Sequence, residues 1–370
     1  MKQKAIAISA TSLIGGGGLT ILNQLIEHSD SQNDYHLFIN DEIKNVREKD
    51  NFHVTRVKRQ SSFQRIIWDW KGLRAMLKAK GIDPDAVVSL QNTSVYFPGK
   101  PKIVYLHQGI PLSDMNWSFF SKRERGLAFY KYVYPFFILL YNDKHTSFVV
   151  QTNWMKEALI NKFSLRNEAT YVLKPDVNLS VKNGHEPKDE RIKHRVSLFY
   201  PATPEPFKDH EVVLRALHEL MQHHDISQIG FYLTMAKGDA PYLDSLIDAL
   251  GLASNVVYLG KLSFSDVQKF YIQTSATVYP SKIESFGLPL LEAASNGQPV
   301  ISADTSFSRE ILERYEGVTF VSDSELLWSQ AIQQLSESDL TPFKKFEPNF
   351  DSGWNDFFKL LNDMCEVQRV

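Results

Sequence analysis

Two doubly wound α/β domains in tandem are what this 370-residue chain predicts, on three observations. Short apolar runs alternate with amphipathic stretches almost from end to end, the signature of parallel strands joined by crossover helices. The chain is longer than the ~250 to 300 residues at which a single hydrophobic core stops growing. The alternation also lapses once, over residues 176–195, into a polar stretch without apolar periodicity that reads as a linker.

In the first domain, residues 1–175, strands are expected at Ala5–Ser9, Tyr35–Asn40, His53–Lys58, Ala86–Leu90, Lys102–His107, Ser147–Gln151 and Tyr171–Leu173. In the second, residues 196–350, they are expected at Val196–Tyr200, Ile229–Met235, Asn255–Leu259, Ala276–Tyr279, Pro299–Ala303 and Val318–Val321. Helical patterns separate most of them. A last helix near residues 351–370 carries Trp354, Phe357, Phe358 and Leu361 on one face, suited to packing back on the first domain. Ligands of such sheets bind at the carboxyl ends of the strands, so the cleft between the domains is the expected site.

Composition narrows the class. With 43% hydrophobic and 23% charged residues the chain is an ordinary globular protein, neither disordered nor fibrous. The single cysteine, Cys365, excludes an internal disulfide framework and a cysteine-based zinc site, and fits the cytoplasm. Met1-Lys-Gln-Lys runs straight into the first strand, so no export signal is expected. Residues 1–175 hold 24 Lys+Arg against 15 Asp+Glu, a surplus of +9, and the remainder carries −11. A basic first half suits an anionic membrane or a phosphate-bearing acceptor, or is simply a solvated surface. No nucleic-acid partner is expected.

The most informative string runs from Tyr279 to Ile301. A strand leads into a loop, Pro289 sits in what should be a first helical turn from about Leu288, and Gly297 suits a left-handed C-terminal cap. Glu284 then lies ahead of the helix and Glu292 within it. The backbone N–H groups of Ser285, Phe286, Gly287 and Leu288 converge where a helix N-terminus favours phosphate or developing negative charge. Two acids separated by seven residues around Phe286-Gly287, followed by Ala293-Ala294 and Gly297-x-Pro299-Val300, resemble the signature of retaining glycosyltransferase family 4, which has the GT-B fold.

The resemblance extends over most of the chain. Ser12 to Gly18 is similar to the family's glycine-rich loop, which implies that Gly16 and Gly17 approach the donor. Tyr105-Leu106-His107-Gln108 resembles the strand end that gives a histidine, here His107, to the sugar. Val149 to Trp154 resembles the family's last-strand segment before the linker. Lys208 matches the lysine placed on the diphosphate, whereas Thr203 stands where the family commonly has arginine, so Lys208 and backbone donors must carry more of the phosphate charge. Leu262, after the turn at Gly260, resembles the backbone contact to the nucleobase. By the same resemblance Glu292 binds the ribose and Glu284 orients the sugar.

The resemblance implies a retaining hexosyltransferase moving a sugar from a nucleoside diphosphate to a saccharide or lipid-linked saccharide acceptor, with no metal or other cofactor, in capsule, O-antigen or exopolysaccharide synthesis. A GT-B sugar-nucleotide epimerase, an NAD-dependent oxidoreductase using Gly15-x-Gly17 as a dinucleotide loop with Asp41 downstream, and a non-catalytic binder stay open. The oxidoreductase fingerprint lacks its third glycine, since Thr20 occupies that position. Two basic aromatic segments, residues 63–80 and 119–141, are read either as peripheral contacts to anionic lipid at the inner face of the membrane or as helices packed on the first sheet. The apolar run of the second falls short of the ~20 residues that span a bilayer.

Overall fold

A computed structural model describes residues 3–13, 17–44, 46–47, 49–177, 187–348 and 352–367. The chain divides into two compact units, the first comprising Met1–Asp176 and Phe350–Val370, the second Val177–Asn349. Part of the expected linker, residues 178–186, and Gly15 and Gly16 of the glycine loop lie outside the described residues.

The first unit is built on seven parallel strands: β1 (Ala5–Ala10), β2 (Asp34–Asn40), β3 (Phe52–Val57), β4 (Ala86–Ser89), β5 (Lys102–Tyr105), β6 (Thr146–Val150) and β7 (Thr170–Val172). Their order is β3-β2-β1-β4-β5-β6-β7. Central strands covered on both faces are largely apolar, and β4 and β6 are buried at every position. The chain leaves β1 in one direction and resumes in the other at β4, so the order reverses between these neighbours and opens a crevice beyond their carboxyl ends.

The terminal helix, Trp354–Val367, belongs to this unit. Trp354 stacks on Tyr105 with centroids 6.0 Å apart, and its indole N–H donates to Gln24 at 3.1 Å. The Gly353 N–H donates to the Lys174 carbonyl at 2.9 Å, which fixes where the helix starts.

The two basic aromatic segments divide their side chains between core and solvent. Residues 62–79 run as helix Ser62–Ile67, a π-helical turn Trp68–Gly72 and helix Leu73–Ala79. Trp68, Leu73 and Leu77 are buried, while Phe63 is 70% and Trp70 49% exposed. In the second segment Leu127, Tyr134 and Ile138 are buried and Phe120 and Phe136 face solvent. Among the described residues no helix is long and apolar enough to cross a membrane.

The second unit holds six parallel strands: β8 (Val196–Tyr200), β9 (Ile229–Leu233), β10 (Val256–Tyr258), β11 (Ala276–Tyr279), β12 (Val300–Ala303) and β13 (Val318–Val321). Their order, β10-β9-β8-β11-β12-β13, reverses between β8 and β11. Helix His210–Met221 follows β8 and buries Val213, Leu214, Ala216 and Leu217 in this unit's core.

Candidate functional site

The loops after β8 and β11 meet at the reversal point of the second sheet. After β8, a single 3-10 turn, Pro206–Lys208, carries the lysine. Its backbone is held from two sides: the Tyr200 hydroxyl donates to the Lys208 carbonyl at 2.7 Å, and the Lys282 N–H donates to the Phe207 carbonyl at 2.8 Å. The second bond ties one loop to the other. Lys208 Nζ thereby reaches Glu284 Oε1 and forms an ion pair in which both side chains are largely buried, at 15% and 14% exposure.

Glu284 has a second donor. The Tyr279 hydroxyl reaches the same oxygen at 2.8 Å. Tyr279 and Tyr200 end adjacent strands and meet edge-on at 5.6 Å, fully buried. Burial and the Glu284 charge hold both phenols well above the ordinary tyrosine range, so both remain hydrogen-bond donors.

Beyond Glu284, Ser285 and Phe286 lead to Gly287, the N-cap of helix Leu288–Ser295, which sits at φ +86°. Glycine adopts this left-handed backbone at no steric cost. The helix carries proline in its first turn and ends at Asn296 and Gly297, the latter at φ +74°. Glu292, five residues into the helix, is partly buried. Burial pushes its carboxyl above the usual range, and the neighbouring Tyr271 hydroxyl pulls it back in part. That hydroxyl is buried without a partner in hydrogen-bonding geometry. Leu262 follows Gly260, at φ +70°, in the loop between β10 and helix Phe264–Gln273.

Thr203 hydrogen-bonds through its hydroxyl to Glu205, and Lys282 pairs with Asp209 at 3.0 Å and Asp323 at 2.8 Å. Lys282 is therefore engaged by two carboxylates, and Lys208 is the cation set against Glu284.

In the first unit His107 lies just past β5, at the crevice beside β4. Asn92, at φ +59°, accepts from the His107 N–H at 2.6 Å and places its amide nitrogen 3.1 Å from His107 Nε2. Since that amide donates, Nε2 accepts and the ring proton resides on Nδ1, which is buried without a partner. Burial, reinforced by the Arg65 charge, pushes the imidazole down to about 4, so it is neutral at neutral pH. Helix Gly17–His28 starts beside it: a Cβ on Gly18 would come within 2.9 Å of Leu13 and 3.7 Å of His107 Nε2.

Of the expected site residues, then, Lys208 and Glu284 touch, Ser285 to Leu288 form the turn that joins Glu284 to the helix of Glu292, and Leu262 lies in a neighbouring loop. Gly17 opens a helix in the first unit, and Gly16 lies outside the described residues. The two tyrosines that organise Glu284 and Lys208, and Asn92 behind His107, were not among the expected residues. A signal for the tyrosines existed: both strands end in Tyr-Pro, at Tyr200-Pro201 and Tyr279-Pro280. Among the described residues no three His, Cys, Asp or Glu side chains gather as a metal site requires.

Residues 184–348 match the family model of glycosyl transferases group 1, a span that contains Lys208, Leu262, Glu284 and Glu292. That span lies wholly within the second unit. Among curated relatives, O-antigen chain mannosyltransferase RfbU of Salmonella typhimurium is 24% identical over 231 residues, covering 60% of this chain and 61% of that protein. The chain thus spans about three fifths of the length of this relative. Among solved structures, WaaG, a glycosyltransferase involved in lipopolysaccharide biosynthesis, superposes with a TM-score of 0.64 at 16% identity over 90% of this chain and 91% of that one. Anabaena Alr3699/HepE, solved with UDP and glucose, gives 0.61 at 16% identity over 91% and 90%. These structural likenesses extend over both units, and the fold is GT-B.

Proposed function

We propose that this chain transfers a hexosyl residue from a nucleoside-diphosphate sugar to an acceptor hydroxyl with retention of anomeric configuration, the acceptor being a lipid-linked or growing cell-surface polysaccharide. The observation that carries the reading is the convergence of Lys208 and Glu284 at the reversal point of the second sheet, with Glu292 one helical turn beyond a glycine-capped helix start. The named mannosyltransferase relative and the neighbour that holds UDP and glucose support it.

In this reading Lys208 offsets the charge of the departing diphosphate, and Glu284, oriented by Tyr279, holds sugar hydroxyls. Glu292 holds the ribose and the Leu262 loop meets the base. In the first unit His107 and the Gly16–Gly17 loop are assigned to the transferred sugar and the phosphates. The bond from the anomeric carbon to the phosphate oxygen breaks, the acceptor oxygen bonds to the same face, and the acceptor proton passes to the leaving diphosphate. Fixed donors that meet charge as it develops supply most of the rate enhancement in such sites. No divalent metal is assigned. The basic surplus of the first domain supports peripheral contact with the cytoplasmic face of an anionic membrane.

A thermal-shift screen against UDP-, GDP- and dTDP-sugars beside NAD(H) and NADP(H), repeated with Glu292→Ala, tests the reading. Stabilisation by one nucleotide-sugar class that disappears in the variant is expected. Stabilisation by a nicotinamide cofactor alone, or by sugar nucleotides regardless of Glu292, would overturn it.

A further inference from the structure

The first unit contains a cavity of about 770 Å³ at the carboxyl edge of its sheet, lined from the ends of β1, β2 and β3 and from the two basic aromatic segments. Its volume falls within the range of ligand pockets, ~300 to 1,000 Å³. None of the residues assigned to the donor lines it.

The charge of the lining is one-sided. Arg59, Arg65, Lys122 and Arg125 face the cavity, and among its described lining residues Asp69 is the one acid. Asp69 is buried and already engaged, accepting from the Gln91 amide at 2.8 Å and the Thr93 hydroxyl at 2.8 Å. Gln91 in turn accepts from the Thr11 hydroxyl at 3.1 Å and the Ser12 N–H at 3.2 Å, so one polar chain runs from the end of β1 to the acid. Arg65 is held by neutral acceptors, the Gln91 carbonyl at 2.6 Å and the Tyr134 hydroxyl at 2.8 Å, and its Nε is buried without a partner. Its charge is therefore positioned by the fold and not cancelled by a contact. Arg59 faces Glu42 at 3.4 Å from an exposed site, a pair that an incoming anion can replace at little cost.

The remaining wall is aromatic and polar, with Phe129, Tyr130 and Tyr134 beside Thr11, Ser12 and Asn40. Ring faces next to hydroxyls and amides suit a sugar, whose C–H face is apolar and whose edge is polar. A cation surplus with Arg65 held in place by the fold suits phosphate.

We propose that this cavity seats a phosphate- or diphosphate-bearing saccharide, the head group of the acceptor. The assignment to the acceptor rests on the glycosyltransferase reading; the binding itself does not. Arg125 and Lys122 come from the segment that also exposes Phe120 at 96% and Phe136 at 61%. A lipid attached through the phosphate would meet that apolar surface directly, whereas a free sugar phosphate would use the cavity alone.

Titration calorimetry of the full chain without any nucleotide sugar tests this. Three probes are compared: a hexose 1-phosphate, the neutral methyl hexoside, and a decyl hexosyl phosphate presented in phosphatidylcholine vesicles. The phosphorylated probes are expected to bind with an affinity that falls as salt is raised, and the neutral one to bind more than about tenfold more weakly. Equal binding of the two phosphorylated probes assigns the site to a free sugar phosphate; tighter binding of the vesicle-borne probe assigns it to a lipid-linked one.

Arg125→Ala with Lys122→Ala should weaken phosphorylated probes by about tenfold or more, while Lys71→Ala, in the basic segment of Arg65 but outside the lining, leaves them unchanged. Gly126→Leu provides an independent variant: Gly126 lines the cavity and a Cβ there meets nothing within 4 Å, so a side chain can start from that position and narrow the cavity. It should weaken the probes to a similar extent. Equal affinity for neutral and phosphorylated sugars, or affinity untouched by both variants, would overturn the proposal. Because donor stabilisation through Glu292 is read separately, either result stands whether or not the transferase reading does.

Discussion

At the residue scale the two units use buried polar groups in opposite ways. Glu284 is a largely buried carboxyl met by two partners, since Lys208 and the Tyr279 hydroxyl both reach it. His107 is an imidazole kept neutral by burial, with a folded value near 4 against an ordinary 6.5. For a base whose folded pKa is depressed, the unfolded chain takes up protons first, so stability is intact above the ordinary value and declines as pH falls from about 6.5 to about 4. The full effect is on the order of 3 kcal/mol. His107→Gln removes it. Urea unfolding of both proteins at pH 7 and pH 4.5 should therefore show the variant gaining on wild type as the solution is acidified; a constant difference would mean that His107 is solvated. His107 itself was legible in the sequence as a polar residue at the end of an apolar strand. Asn92, which orients it, was not, because it lies fifteen residues away and meets His107 only when β4 pairs with β5.

At the element scale the candidate donor site depends on one helix, Leu288–Ser295, whose ends are both set by glycines in left-handed conformation. The two differ in what surrounds them. A Cβ on Gly287 would make ordinary contacts, 3.4 Å to Leu290 and 3.5 Å to Phe307, so Gly287→Ala carries backbone strain alone, about 1 kcal/mol. A Cβ on Gly297 would in addition collide with the Phe343 carbonyl, so Gly297→Ala should cost about 2 kcal/mol or more. Denaturant midpoints that rank the two variants the other way would contradict this account. The bounds of the helix could be read from Pro289 and Gly297 because proline and glycine act through their own backbones. The pairing of Lys208 with Glu284 could not, since the two side chains are 76 residues apart and meet only when β8 and β11 lie side by side.

At the scale of the molecule, the last helix joins the beginning of the chain and not the unit that precedes it. Trp354 is 2% exposed and packs against Tyr105, Phe357 and Gln24, so Trp354→Ala should destabilise the first unit by about 3 to 5 kcal/mol. Unfolding followed by hydrogen exchange should locate that loss in residues 3–176 and the terminal helix and leave the 187–348 strands protected. Equal loss in both would show that the helix stabilises the chain as a whole. By itself the sequence determined the thirteen strands of the described residues, the two parallel sheets and the glycosyltransferase-like string from Glu284 to Val300, because period, length and glycine or proline punctuation are local properties. Only the tertiary structure decided which tyrosines hold Glu284, how the basic aromatic segments divide between core and solvent, and that four cations surround one cavity. Those depend on side chains brought together from distant strands, and the reversal of strand order that assembles them is written in no single stretch of sequence.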